Sequence, residues 1–337
     1  MTAGEIPEPR KRERFVGHPA AAGMLAAGAA AGRLHHAWIL AGPRGIGKAT
    51  LAFRFARYLL AGQGGFLLAE AEPAPLHLAA EDPVFRRVAS GGHADLRVVE
   101  PAGARGEIRV DAIRDAGRFL RLTPGESAWR VLVVDGADTM NPNAQNAALK
   151  LLEEPPPNVL ILLVAHRPSL LLPTVRSRCR MLRLAPLDRP EFDEVLREVA
   201  PELDAEAYAR LFAVSGGSPG AALELEQFGG RALQEAVDAL LDSLPEIDRQ
   251  ALDRIAAAAT ENREAAHFQA FGRILATGLA ERLRAADPDS AWLNAEAGVS
   301  RLLERSTALS LDRRQTVYEI LSTLARAAAG TGQGVVA

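Results

Sequence analysis

The sequence of 337 residues contains a single cysteine. One thiol cannot pair within its own chain, so a disulfide framework is excluded, and so is a four-cysteine zinc module. Long apolar runs are also missing. No stretch reaches the ~18 uninterrupted apolar residues that a membrane helix needs. Charge of one sign is lacking too: 39 Lys and Arg stand against 42 Asp and Glu, a net charge of −3. That balance argues against a general nucleic-acid coat, while leaving room for a local basic face. Aromatic residues are sparse at 5%, yet hydrophobic residues make up 48% of the chain. An intrinsically disordered chain lacks such a fraction, so packed cores are expected, in two or three domains at about 150 residues each.

The cluster Arg10-Lys11-Arg12-Arg14 precedes an Ala/Gly-rich stretch, Pro19 to Gly32, which raises the question of a secretory leader. Gly17-His18-Pro19 interrupts the junction, and Ala and Gly are too weakly apolar for a leader core. The stretch reads instead as a helix of a soluble, cytoplasmic protein. Met1 to Pro9 and Gly330 to Ala337 read as disordered tails.

Short apolar runs alternate with helical spacing through the first half. Ala37–Leu40, Leu96–Val99, Val131–Val134, Leu160–Val164 and Met181–Leu184 read as strands. The third and fourth carry no polar residue, as expected of strands covered on both faces. Leu51, Phe55, Tyr58 and Leu59 recur at helical spacing after the first run. Strand and helix in alternation predict a parallel α/β sheet. From about Pro186 no strand run appears. Phe268, Phe271, Leu275 and Leu279 share one helical face, as do Val317, Ile320, Leu321 and Leu324. Gly216-Gly217-Ser218-Pro219-Gly220 and Phe228-Gly229-Gly230 break the helical pattern. The expected organisation is an α/β P-loop domain over residues 1–185, a small helical lid over 186–228 and a helical domain over 229–337.

Gly42-Pro43-Arg44-Gly45-Ile46-Gly47-Lys48 follows a predicted strand and opens a predicted helix. In that context the G-x-x-x-x-G-K spacing predicts a phosphate loop: backbone amides turn inward around Gly42, Gly45 and Gly47, and Lys48 reaches the outer phosphates. A hydroxyl for Mg²⁺ should follow the lysine, but Ala49 stands there, and Thr50 lies about 100° further round the helix. The run Val131–Val134 ends in Asp135, placed to help hold Mg²⁺. The acid that would activate water should come next, and that position is Gly136. Asp138 lies too far along to replace it. The nucleotide site therefore reads as degenerate, with ATP or ADP as candidate ligands.

Asn143-Ala144-Gln145-Asn146-Ala147-Ala148-Leu149-Lys150-Leu151-Leu152-Glu153-Glu154-Pro155-Pro156, Ser177-Arg178-Cys179 and Gly32-Arg33-Leu34-His35-His36-Ala37 together resemble the AAA+ clamp-loader subunits of bacterial DNA polymerase III. The similarity runs from about Phe15 to Leu225. Gly217-Ser218-Pro219-Gly220-Ala221-Ala222-Leu223 resembles the form found in the delta-prime branch, where a motor subunit has a sensor arginine at the position of Gly220. His166 falls at or beside the usual polar sensor position. The family usually carries a four-cysteine zinc module before the second acidic motif. The stretch Gly62 to His93 has no cysteine, and His77 and His93 cannot complete such a site, so zinc is not expected.

The resemblance implies a stator subunit of the DNA polymerase III holoenzyme that is not itself catalytic. It would supply Arg178 in trans to a neighbour's ATP, in a complex with gamma/tau and delta subunits. That complex would act on the β sliding clamp, indirectly for this chain, and on primed DNA. The helical tail would form an oligomerisation collar. An ordinary surface role for Arg178, paired with Glu153 or Glu154, is the bland alternative. Cys179 reads as a small buried residue, His35-His36 as non-ligands, and the Arg10–Arg14 cluster as a solvated face rather than a phosphate contact. The series Arg176, Arg178 and Arg180 could face phosphate backbones. An active motor ATPase, a P-loop scaffold outside replication and a DNA-binding initiator are the rivals. Ala49, Gly136 and Gly220 speak against the first, and the third lacks a basic C-terminal recognition helix.

Overall fold

The computed structural model describes residues 8–62, 75–103, 106–227, 230–246, 248–260, 265–285, 290–309 and 311–329. Two compact units emerge: Met1–Pro201 with Gly217–Gly220, and Glu202–Gly216 with Ala221–Ala337.

The first unit runs α1 (Pro19–Ala30), β1 (Ala37–Ala41), α2 (Lys48–Leu60), α3 (Pro83–Ala89), β2 (Leu96–Val99), α4 (Val110–Leu120), β3 (Arg130–Asp135), α5 (Pro142–Glu153), β4 (Val159–Ala165), α6 (Pro173–Arg176), β5 (Arg180–Arg183) and α7 (Arg189–Val199). All strand pairs are parallel, in the order β2-β3-β4-β1-β5. Every expected strand is present. Helical crossovers enforce the parallel arrangement, because a tight turn cannot return a chain to the same end of a sheet.

Period-two alternation divides the strands between two cores. Trp38, Leu40, Val131, Val133, Leu160 and Leu162 pack with α1 and α2. Ile39, Ala41, Leu132, Val134, Ile161 and Leu163 pack with α4 and α5. All seven residues of β4 are 0–3% exposed, which is why its run carries no polar residue. Burial of each large aliphatic side chain there stabilises the unit by roughly 1.5–3 kcal/mol.

The basic N-terminal cluster is solvated only in part: Lys11 and Arg14 are exposed, Arg10 and Arg12 much less so, and the arginines pair with carboxylates of distant elements. Arg10 pairs with Glu100 at 2.9 Å, Arg12 with Glu198 at 3.0 Å and Arg14 with Glu194 at 2.6 Å. The arm's backbone is held from below by two buried arginines of α2. Arg54 donates to the Glu13 carbonyl at 2.6 Å, and Arg57 to those of Arg10 and Arg12 at 3.1 and 2.7 Å. The Arg57 guanidinium also lies 4.2 Å from the Phe85 ring centroid. Burial, then Arg54, pushes its pKa down to about 10, so it stays charged at neutral pH. Pro9, the last residue of the expected N-terminal tail, begins a 3-10 turn, Pro9–Lys11; residues 1–7 and 330–337 lie outside the described residues.

The second unit is helical: α8 (Ala205–Ser215), the later part of α9 (Pro219–Gln227), α10 (Gly230–Ser243), α11 (Arg249–Ala259), α12 (Ala265–Ala285), α13 (Ser290–Leu309) and α14 (Arg313–Ala328). Both apolar stripes read from the sequence are buried: Phe268, Phe271, Leu275 and Leu279 on α12, and Val317, Ile320, Leu321 and Leu324 on α14. None of the described helices is long and apolar enough to cross a membrane.

Arg57→Ala should lower the unfolding free energy by about 3 kcal/mol, because it leaves two carbonyls of the arm without a donor. Urea denaturation measures this, and protease cleavage within residues 8–16 should accelerate in parallel.

Candidate functional site

The loop between β1 and α2 lies at the C-terminal edge of the parallel sheet, where open α/β sheets form their binding crevice. Gly42, Gly45 and Gly47 all take positive φ, at 148°, 80° and 98°. A Cβ on Gly42 would stand 2.4 Å from the Leu184 carbonyl oxygen. Lys48 is the first residue of α2, is 3% exposed, and donates from Nζ to the Pro43 carbonyl. Burial pushes its pKa down to about 8, against the opposing pull of Asp135 and Asp138.

Three carbonyls of the loop are held by donors from elsewhere in this unit. The Ser218 hydroxyl donates to Arg44 O at 2.6 Å, the Gly220 amide to Gly45 O at 2.9 Å, and His18 Nε2 lies 3.0 Å from Ile46 O. A planar trans peptide points its N–H opposite to its C=O. Each of the amides of Gly45, Ile46 and Gly47 therefore points away from the donor that holds the carbonyl before it, and among the described residues none of them has an acceptor. Helix α2 begins there, adding a favourable dipole for an anion. This donor set fits the phosphates of a nucleotide.

The Mg²⁺ apparatus fits less well. Asp135 ends β3 at the same sheet edge, with its pKa raised by burial and by Glu100 while Lys48 opposes. Ala49 has no hydroxyl, and Thr50 is buried in α2. Asp138 is a structural clamp: its carboxylate accepts from the His166 and Arg167 amides, each at 3.0 Å. His166 is brought beside Lys48. Burial and then Lys48 push its pKa down to about 4, and its Nδ1 is buried without a hydrogen-bond partner.

Gly136 takes φ 79°, and a Cβ there would lie 3.0 Å from Pro101 Cγ. The left-handed conformation costs an L-residue roughly 1–2 kcal/mol. The missing acid is thus absent from a backbone that disfavours any side chain. Gly220 is similar in effect, since a Cβ would stand 2.7 Å from Gly45 Cα.

Arg178 is remote from this edge. β5 runs parallel to β1 with Arg180 opposite Trp38 and Arg183 opposite Ala41. Arg178 lies in the turn that leads into the N-terminal end of β5, and the four steps from Arg180 to Leu184, beside Gly42, alone span about 13 Å at ~3.3 Å per residue. It is partly exposed and pairs with Glu153 at 2.7 Å, as the bland alternative allowed. It also donates to Thr174 O at 3.0 Å. Neighbouring Cys179 has its pKa pushed up to about 12 by burial, which leaves no reactive thiolate at neutral pH.

His36 bonds with Leu152 O at 3.0 Å and His35 with Ala37 O at 2.8 Å. His93 Nδ1 accepts from the Asp95 amide at 3.1 Å. Among the described residues no group of three His, Cys, Asp or Glu is arranged to hold a metal. Of the stretch Gly62 to His93, residues 63–74 lie outside the described residues. Sequence reasoning missed His18 and Ser218 as loop contacts. Neither has a local signal, because each acts on a carbonyl far away in the chain.

The profile of the family described as "DNA polymerase III, delta subunit" matches residues 17–188. DNA polymerase III subunit delta' of Pseudomonas aeruginosa is 36% identical over 216 residues, covering 64% of this chain and 62% of that protein. The Escherichia coli subunit delta' is 34% identical, covering 66% and 64% respectively. DNA polymerase III subunit tau of Salmonella typhimurium is 30% identical over 71% of this chain and 37% of its own length. The chain thus spans less than two thirds of the length of each of these relatives.

Two outcomes test the site. Gly136→Glu should cost about 1–3 kcal/mol in urea denaturation and produce no phosphate release, since the acid enters a left-handed position. ADP affinity, measured by calorimetry without Mg²⁺, should hold from pH 7 to 8 and fall above pH 8 as Lys48 loses its proton. Lys48→Met should bind weakly at every pH, with that fall removed.

Proposed function

This chain belongs to the clamp-loader delta-prime family of DNA polymerase III, and on that premise we propose that it is a replication clamp-loader subunit that holds nucleotide without hydrolysing it and supplies Arg178 to a neighbouring subunit's ATP site. The observation that carries the reading is the register of β5 on β1. Arg178 and the chain's own phosphate loop stand at opposite edges of one sheet, so any phosphate that Arg178 meets belongs to another molecule. A permanently charged planar donor suits that task, because it can stabilise charge developing on phosphoryl oxygens.

The chain's own site supports binding without turnover. Inward amides and Lys48 would take the phosphates, whereas the hydroxyl ligand, the activating acid and the sensor arginine are replaced by Ala49, Gly136 and Gly220. Asp135 and Thr50 would contribute at most a weak cation contact beside the phosphates. Partners in this reading are gamma/tau-type ATPase subunits and a delta subunit, with the β sliding clamp and primed DNA reached through the complex. Residues 186–228 would serve as a lid and 229–337 as a collar for assembly.

The Arg178–Glu153 pair supports a second reading, in which Arg178 has only a structural role. A partly exposed pair of this kind contributes about 0–1 kcal/mol. The two readings separate cleanly. In a complex reconstituted with ATPase subunits, clamp and primed DNA, Arg178→Ala should preserve assembly and lower hydrolysis at the site it serves by about 10³-fold. Unchanged DNA-stimulated hydrolysis with slightly reduced stability would establish the structural role instead.

A further inference from the structure

Resting on the reading that the loop holds nucleotide phosphates, we infer that Ser218, together with the Gly220 amide and His18, is a positioning residue that sets which side of the phosphate loop is electropositive. Each of the three donors holds one peptide unit. Ser218 holds Arg44–Gly45 through Arg44 O, Gly220 holds Gly45–Ile46 through Gly45 O, and His18 holds Ile46–Gly47 through Ile46 O. Every one of these units borders a glycine, where rotation of the peptide plane meets the least steric resistance. A rotated unit would turn its carbonyl toward the phosphate and its amide away, replacing attraction with repulsion. The three bonds oppose that rotation at the carbonyl of each unit, so they take up none of the amides offered to an anion.

The holding segment is itself anchored. Leu187 N donates to Gly217 O at 2.9 Å, which fixes the residue before Ser218. Ser218 is 2% exposed, so its hydroxyl has little access to water as an alternative partner. Gly220 can approach closely enough only without a side chain, since a Cβ would meet Gly45 Cα at 2.7 Å and Gly45 O at 3.0 Å. The position that the resemblance gives to a sensor arginine in motor subunits therefore serves here as a backbone contact. An arginine placed at this position would push the segment off the loop.

The test uses the full chain with Mg²⁺-free ADP as probe. Ser218→Ala should weaken ADP binding about fivefold, the loss of one net hydrogen bond. Ser218→Thr, which keeps the hydroxyl, should restore affinity to within about twofold of the original on the same reasoning. Thr316→Val removes a buried hydroxyl bonded to Ser306 and Asp312 in the second unit, and should lower stability without touching affinity. Equal ADP affinity in Ser218→Ala and the original chain, or an equal loss in Thr316→Val, overturns the proposal. Should Ser218→Ala fail to fold, His18→Ala carries the same expectation of about fivefold. If the original chain binds no ADP, the nucleotide reading falls, and amide order parameters then decide the positioning role. Values near 0.85 at Gly45–Gly47 that drop below about 0.6 in Ser218→Ala uphold it, and unchanged values overturn it.

Discussion

The planarity of the peptide bond is the constraint on which this site depends. A phosphate loop is electropositive only on the side to which its amides point, and that side is set by where its carbonyls are held. Here the carbonyls of Arg44, Gly45 and Ile46 are taken by Ser218, Gly220 and His18, residues lying 28 to 175 positions away in the sequence. The rest of the first unit brings these donors to the loop. Buried Arg54 and Arg57 hold the arm that leads to His18, and the Leu187–Gly217 bond holds the segment that carries Ser218.

The same packing bears on two positions where the resemblance would place hydrolytic groups in a motor subunit. Gly136 and Gly220 stand where an acid and an arginine are expected of a motor subunit, and both positions resist a Cβ. Gly136 resists one through its left-handed backbone and Pro101, Gly220 through the loop itself. Ala49 differs in kind, because it lies within ordinary helix in the first turn of α2. The two glycines are therefore demanded by the backbone and the packing around them. Arg178 escapes this constraint because it lies at the other edge of the sheet, partly exposed and held by Glu153, the Thr174 carbonyl and the Ser177 hydroxyl.

Much of this was legible in the residues. The five strands were readable because a parallel strand covered on both faces must be continuously apolar, as β4 is. The phosphate loop was readable because glycine spacing, a preceding strand and a following helix coincide. The basic cluster at Arg10–Arg14 was legible only in part: Lys11 and Arg14 are exposed, but charge in a short segment does not show which carboxylates it will meet. Glu100, Glu194 and Glu198 supply those partners from distant elements. Asp138 had no assignable role in the sequence either, and it clamps the turn after β4.

The sequence by itself determined the strand set, the phosphate loop, the losses at Ala49 and Gly136, and the family to which these motifs belong. Each rests on local spacing, which a linear chain records directly. Only the tertiary structure decided which side of the loop presents its amides, and that Arg178 and the chain's own loop stand at opposite edges of the sheet. Both depend on register and on bonds between remote segments, and no local pattern encodes which remote donor will meet which carbonyl.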